Sequence, residues 1–438
     1  MILLFLPVNG FHSRKGKFQT IAMHTAKTFR ALAVSFFVGF SALAQSDSLA
    51  RAVEATYRAG LPNFFTKINK GKPVKIAYLG GSITRADNGW RQQTFDAFQK
   101  QYPNVRFEEI MAAIGGTGSD FGAYRLEAHV LQHAPDLVFV EFAVNDNGKM
   151  AQQVKASMEG IVRQIWRHTP KTDICFVYTF QKVQLPLYEK GRFPVSASAM
   201  EAVAEHYQIP TVCMGLPAIR LILEGKMIVQ GKVKDFPDTI VFSEDGVHPY
   251  PQTGQKVYAE TLVKHFNALK TIGKSGKHAL KKALIPENLE KATLVPVEKL
   301  EKSAGWTIVD SVVTGKPFAS LMPPVYASAD TSQYLKVSFA GRSLGLLDIM
   351  GPSSGQIQVW IDNDPPRFLN RFDEYCTYYR MGYSIISGLP GGKHTAILKV
   401  SPVQLDKAAI LEKRNNKINN PQSFRKHVFY PGAVLVEK

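Results

Sequence analysis

From residue 74 onward, short apolar runs alternate with amphipathic stretches. The apolar runs predict strands over 74–79, 105–111, 137–142, 173–179 and 211–214. Helical spacing predicts helices over 90–100, 121–133, 151–168, 197–207 and 252–267. Strands that are apolar on both faces, each followed by a helix, call for a parallel sheet covered on both sides. In such sheets a site forms beyond the carboxyl ends of the strands. After residue 294 the period changes. Runs of alternating apolar and polar residues at 334–339, 343–349, 355–362 and 394–400 are separated by turn residues, among them Gly341, Gly351-Pro352, Asp364-Pro365 and Gly391-Gly392. That spacing predicts an antiparallel, jelly-roll-like β-sandwich. A basic insert, 407–426, is expected to loop out before a last strand at 427–436.

The chain of 438 residues has room for two cores, and its 45% hydrophobic and 20% charged content is that of a globular protein. The expected divisions are 1–44, 45–268, 269–293 and 294–438. The first is an export signal: Lys27 and Arg30, then an apolar run over 31–40, then Ala42-Leu43-Ala44 as a small-x-small cleavage site. Met23 is the expected start and Ala44 the expected cleavage point, giving a periplasmic or extracellular protein. The third division, rich in lysine, is expected to be a linker with some helix. The body contains no apolar run of about 20 residues, so no membrane span is expected.

The formal charge of +17 falls to +12 once the five basic residues of the segment ending at Ala44 are set aside. No aromatic-basic motif accompanies it, so the excess is read as solubility, with no nucleic-acid partner. Three cysteines exclude a disulfide scaffold. Cys175 and Cys213 lie in strand-like runs and are expected to be buried thiols, with a bridge between them left open.

The first strand ends in L-G-G-S-I-T, which places Ser82 at the carboxyl edge of the sheet. A serine hydroxyl needs a base to become a nucleophile. D-G-V-H-P supplies Asp245 and His248, three residues apart, so one turn can carry both and the carboxylate can orient the imidazole. Oxyanion donors have two candidate sources. One is the glycine-rich I-G-G-T-G-S-D-F-G after the second strand, which is not a dinucleotide fingerprint because Phe121 stands where its third glycine would be. The other is Asn145 in A-V-N-D after the third strand.

Taken together and in this order, these blocks resemble the SGNH hydrolase superfamily, the GDSL esterases and lipases, over about 74–266. The resemblance implies a three-layer α/β/α flavodoxin-like fold and a serine hydrolase acting on carboxylic esters. It implies Ser82, Asp245 and His248 as the catalytic triad, and the Ser82 and Gly116 N–H groups with the Asn145 amide as the oxyanion hole. It implies no metal and no cofactor. Two positions depart from the family pattern: Gly81 stands where an aspartate is usual, and Ala143 where a glycine is usual. Together with the β-sandwich, they are similar to the carbohydrate-esterase branches. The substrate expected on that likeness is an acylated carbohydrate, with O-acetyl as the group removed. A lipid-directed esterase on the same residues, and a non-catalytic carbohydrate-binding protein, are the alternatives.

Other signals are set aside. His129 and His133 have metal-ligand spacing but lack the glutamate of H-E-x-x-H. I-G-K-S at 272–275 lacks the first glycine of a P-loop, since position 268 is Ala. Tyr78 and Trp90 are expected in the core, and one of Trp360 and Ile361 should face the core of the second domain. The segments 181–194 and 224–237 are expected to border the site.

Overall fold

The computed structural model describes residues 49–309 and 321–437. The expected export signal, 1–44, lies outside the described residues. The first half carries β1 (Ala55–Thr56), α1 (Pro62–Asn69), β2 (Val74–Gly80), α2 (Ser82–Arg85), α3 (Trp90–Gln101), β3 (Phe107–Ala113), α4 (Ser119–Tyr124), α5 (Leu126–His129), β4 (Leu137–Glu141), α6 (Ala151–His168), β5 (Asp173–Tyr178), α7 (Leu185–Glu189), α8 (Val195–Tyr207), β6 (Thr211–Cys213), α9 (Leu216–Leu223), β7 (Met227–Gln230), β8 (Ile240–Ser243) and α10 (Gly254–Leu269). The main sheet has the order β1-β6-β5-β4-β2-β3. All its pairs are parallel except β1 with β6. Leaving out β1, this is the flavodoxin-like order, whose direction reverses between β2 and β4.

β4 and β5 are buried along their whole length, as the double-sided apolar pattern requires. Tyr78 and Trp90 pack edge-on within that core, 5.5 Å between ring centres, and both stand against Phe139. The expected helix over 121–133 is instead three short pieces, α4, α5 and a single 3-10 turn at Leu131–His133. The first break falls at Arg125, whose guanidinium is drawn in under the sheet to the Ala112 and Gly80 carbonyls. His133 is exposed and His129 is half-buried, on separate pieces. Cys175 and Cys213 are buried and unbridged.

The lysine-rich stretch after α10 contains no helix from 271 to 291. Its lysines are exposed, while its backbone and a few side chains, the Lys281 ammonium among them, bind the first half. His278 pairs with the buried Asp173, the Leu284 and Ile285 N–H groups donate to Glu159, and Glu290 pairs with Arg163. Those contacts hold it extended as a strap.

The second half carries β9 (Ala292–Pro296), β10 (Glu301–Lys302), β11 (Thr307–Ile308), β12 (Tyr326–Ala327), β13 (Tyr334–Met350), β14 (Gln356–Ile361), β15 (Arg367–Asn370), β16 (Arg380–Ser387), β17 (Lys393–Val400) and β18 (Pro431–Glu437). The runs at 334–339 and 343–349 are one strand, β13. Gly341 does not turn the chain. It bends the strand at φ +112°, where a Cβ would meet Glu437 at 2.7 Å. Before the bend β13 pairs with β17 and β10, and after it with β16 and β18. One strand thus serves both layers of a sandwich. Leu335, Val337 and Phe339 from one half, and Leu344 and Leu346 from the other, meet in a single core. Ile361 faces that core, while Trp360 lies outward under Lys399.

The opposite face of the second layer is buried as well. Leu347, Ile349, Ala433 and Leu435 belong to the core of the first half, so this layer joins the two sheets within one compact unit. The buried carboxylate of Asp348 at its end is held by Arg371 through two hydrogen bonds of 2.7 and 2.6 Å. The insert after β17 does not simply loop out. It forms short helices at Lys407–Glu412 and Pro421–Phe424, and the buried Lys407 ammonium donates to the carbonyls of Pro352, Phe424 and Lys426.

This packing yields two predictions. Glu54, just before β1, receives Lys264, His265 and Arg220. Burial raises its pKa, but these three partners outweigh that and bring it from the ordinary 4.5 to about 2. The folded carboxyl therefore binds its proton less readily than the unfolded one, and its stabilisation is complete above about pH 4.5 and lost as pH falls toward 2. Glu54→Gln should flatten the loss of thermal stability over that window, measured by melts from about pH 6 to about pH 2.5. Arg371→Met should strand the Asp348 carboxylate and cost about 3–5 kcal/mol in denaturant unfolding.

Candidate active site

The site forms at the carboxyl ends of the parallel strands, where the strand order reverses between β2 and β4. β2 ends at Gly80, and α2 starts at Ser82. Its neighbour across the reversal, β4, ends at Glu141 and continues into the turn that carries Asn145. The Asn145 carboxamide lies directly over Gly81: a Cβ built on Gly81 would come within 2.1 Å of the carboxamide oxygen. The aspartate usual at this position has no room here. Gly81 and the placement of Asn145 are therefore one feature.

Ser82 Oγ lies 2.8 Å from His248 Nε2, and His248 Nδ1 lies 2.6 Å from Asp245 Oδ2. A carboxylate can only accept, so Nδ1 carries the proton toward Asp245 and Nε2 is left to accept from Ser82. The Asp245–His248 turn is tightened by its own carboxylate, whose Oδ1 accepts the N–H groups of Val247 and His248 at 2.8 Å each. Burial acts to raise the Asp245 pKa, but the hydrogen bonds from the His248 ring and from those N–H groups prevail and leave it below the usual value. The turn comes directly after β8. Ser243 Oγ binds the Gly246 N–H and the Val229 carbonyl, and the Lys182 N–H donates to the Gly246 carbonyl. Both expected bordering segments, 181–194 and 224–237, thus reach this turn.

The glycine loop after β3 lies on the other side of Ser82. Gly115 packs against it, its Cβ position being 3.6 Å from Ser82 Cβ. Gly116 takes the left-handed conformation at φ +72° and lines a cleft of about 440 Å³. The opposite wall of that cleft comes from the second half of the chain and includes Asn370, Asp373, Arg380 and Tyr383. The structure therefore brings together Ser82, Gly116, Asn145, Asp245 and His248, drawn from four separate loops.

Two residues behind the site were not singled out for it by sequence reasoning. Glu141, fully buried, accepts hydroxyl protons from Thr84 at 2.8 Å and Thr179 at 2.6 Å, which ties α2 to the ends of β4 and β5. Burial raises its pKa. Arg125 is equally buried, and no carboxylate among the described residues pairs with it. It bonds the carbonyls of Gly80 and Ala112 at 3.3 and 2.6 Å, beside the starts of the serine turn and the glycine loop, and burial lowers its pKa to about 9. The available signal was a charged residue in an otherwise apolar setting, V-E-F and Y-R-L.

Residues 78–252 match the GDSL-like lipase/acylhydrolase family. No curated protein matches the chain. Among solved structures, a two-domain esterase (CEX) active on acetylated mannans, co-crystallised with mannopentaose, is similar at 18% identity. The match covers 90% of this chain and 97% of that one, with a TM-score of 0.67. Axe2, an acetylxylan esterase from Geobacillus stearothermophilus, is similar at 15% identity over 44% of this chain and 94% of its own, with a TM-score of 0.36. The matched residues make up most of the α/β half, so it is this half that resembles the GDSL-like lipases and acylhydrolases.

The Gly81 contact yields a prediction. On the expectation that Asn145 is an oxyanion donor, Gly81→Ala, which pushes its carboxamide aside, should lower kcat on p-nitrophenyl acetate by about 10²–10³-fold. The melting temperature should change little, because the clash is with a single, partly buried side chain.

Proposed function

We propose that the protein is a secreted serine esterase that removes small acyl groups, chiefly O-acetyl, from a polysaccharide or oligosaccharide. The observation that carries this reading is the Ser82–His248–Asp245 hydrogen-bond chain opening beside a polar cleft. Ser82 Oγ attacks the ester carbonyl carbon as His248 Nε2 takes its proton. Asp245 holds the imidazole in the required tautomer and stabilises the imidazolium. The carbonyl oxygen becomes an oxyanion, received by the Ser82 and Gly116 N–H groups and the Asn145 amide. On collapse the C–O bond to the sugar breaks, and His248 returns its proton to the leaving sugar oxygen. Water then attacks the acyl-enzyme with His248 as base, releasing the carboxylic acid and restoring Ser82.

Polar and charged side chains such as Asn370, Asp373 and Arg380 on the cleft wall suit hydroxyl-rich sugars better than an alkyl chain. This favours a carbohydrate ester over a lipid. The similar two-domain esterase, active on acetylated mannans, points to the substrates to try first. In this reading, 1–44 is an export signal cleaved near Ala44, 45–268 the hydrolase domain, 269–293 the connecting strap and 294–438 an accessory domain that walls the cleft.

The test is acetate release from a panel of acetylated mannan, xylan and other polysaccharides. The purified protein should release acetate from at least one of them, and Ser82→Ala should release none while keeping its melting temperature. Faster hydrolysis of long-chain than of acetyl p-nitrophenyl esters would favour the lipid-directed alternative.

A further inference from the structure

A cluster of charges lies behind the two loops that carry Gly116 and Asn145. Asp146, the residue after Asn145, is fully buried. Its Oδ1 accepts the Ser119 N–H at 3.1 Å and lies 2.9 Å from Lys149 Nζ. The same ammonium lies 2.8 Å from Asp120 Oδ1. Ser119 and Asp120 open α4, directly after the glycine loop. A single lysine therefore joins the loop after β3 to the turn after β4. Burial disfavours the ammonium, but Asp146 and Asp120 outweigh it and keep its pKa above the usual value.

The second half of the chain completes the cluster. Tyr383, on β16, stacks almost flat on Phe121, 4.7 Å between ring centres at 15°. Its hydroxyl donates to Asp120 at 3.3 Å and accepts the Gly118 N–H at 3.4 Å. The Asn145 carboxamide oxygen has no hydrogen-bond partner among the described residues. Its position depends on the backbone that Asp146 anchors. The glycine loop has few side chains of its own, and likewise depends on the anchored start of α4.

We propose that Asp120, Lys149 and Asp146 are positioning residues for the oxyanion hole, and that Tyr383 makes the β-sandwich part of the same device. The inference rests on the esterase reading of the Ser82 site. Oxyanion donors act because they are held in place before charge develops, so loosening their support should cost turnover without weakening substrate binding.

The experiment uses the full-length protein with p-nitrophenyl acetate, an ester too small to need the sandwich for binding. Melting temperature and the rate of Ser82 labelling by a fluorophosphonate are measured alongside. Lys149→Met should lower kcat about tenfold or more with KM within about twofold, and Lys149→Arg should recover part of the loss. Tyr383→Phe keeps the stacked ring and therefore the contact between the sheets. It should lower kcat by about threefold to tenfold, and it carries the test if Lys149→Met does not fold. Labelling rates should fall in parallel, since phosphonylation uses the same oxyanion donors. A lower melting temperature with kcat within about twofold of wild type in the folded variants would overturn the proposal and leave the esterase reading standing. Absence of both hydrolysis and labelling in the wild-type protein would overturn the two together.

Discussion

At the carboxyl ends of β2 and β4 the chain passes so close to itself that residue 81 has no room for a side chain. The Asn145 carboxamide occupies the space a Cβ would take. This contact ties the Ser82 turn to the amide beside it and leaves no room here for a side chain at residue 81. The contact arises from the sheet order. Only where that order reverses do two loops leave neighbouring strands with a gap between them. The serine and the asparagine fill that gap, and the Asp245–His248 turn approaches from the far end of the domain.

The same crowding explains the buried charges beneath the site. Glu141 and Arg125 lie where strand ends leave backbone and hydroxyl groups that a wholly apolar core could not satisfy. Lys149 and its two carboxylates do similar work on the side facing the β-sandwich. The second layer of that sandwich is apolar on both faces, so it cannot stand alone in water and must lie against the α/β half. Its docking brings Asp373, Arg380 and Tyr383 to the cleft beside Gly116. The wall of the cleft is a consequence of where the sandwich buries its outer face.

Local signals made much of this legible. β4 and β5 read from their apolar runs because burial on both faces leaves few polar positions, while the edge strand β3 also carries Glu108 and Glu109. The 151–168 helix read from its spacing because nothing tertiary interrupts it. Where side chains answered to distant partners, the local pattern misled. Arg125 turned toward two strand-end carbonyls, and the helix expected over 121–133 broke there. Gly341 reads as a turn from its neighbours in sequence, yet strands on both sides of the bend pair with it and keep the chain extended. The lysines of 269–293 suggested a linker with some helix, but 271–291 contains none, because residues scattered among the lysines bind the backbone to the α/β half.

The sequence by itself determined the classes of structure in the two halves and the residue types at the ends of the strands. Periodicity and glycine placement are local, and each carries its own physical cause. The tertiary structure decided which of those residues meet. Ser82 and Asn145 meet because β2 and β4 are parallel neighbours whose carboxyl ends lie on one side, whereas the Asp245–His248 turn is local and is delivered to Ser82 by the separate β7–β8 pair. The placement of the β-sandwich was decided by an apolar outer face whose partner is the core of the α/β half, far earlier in the chain.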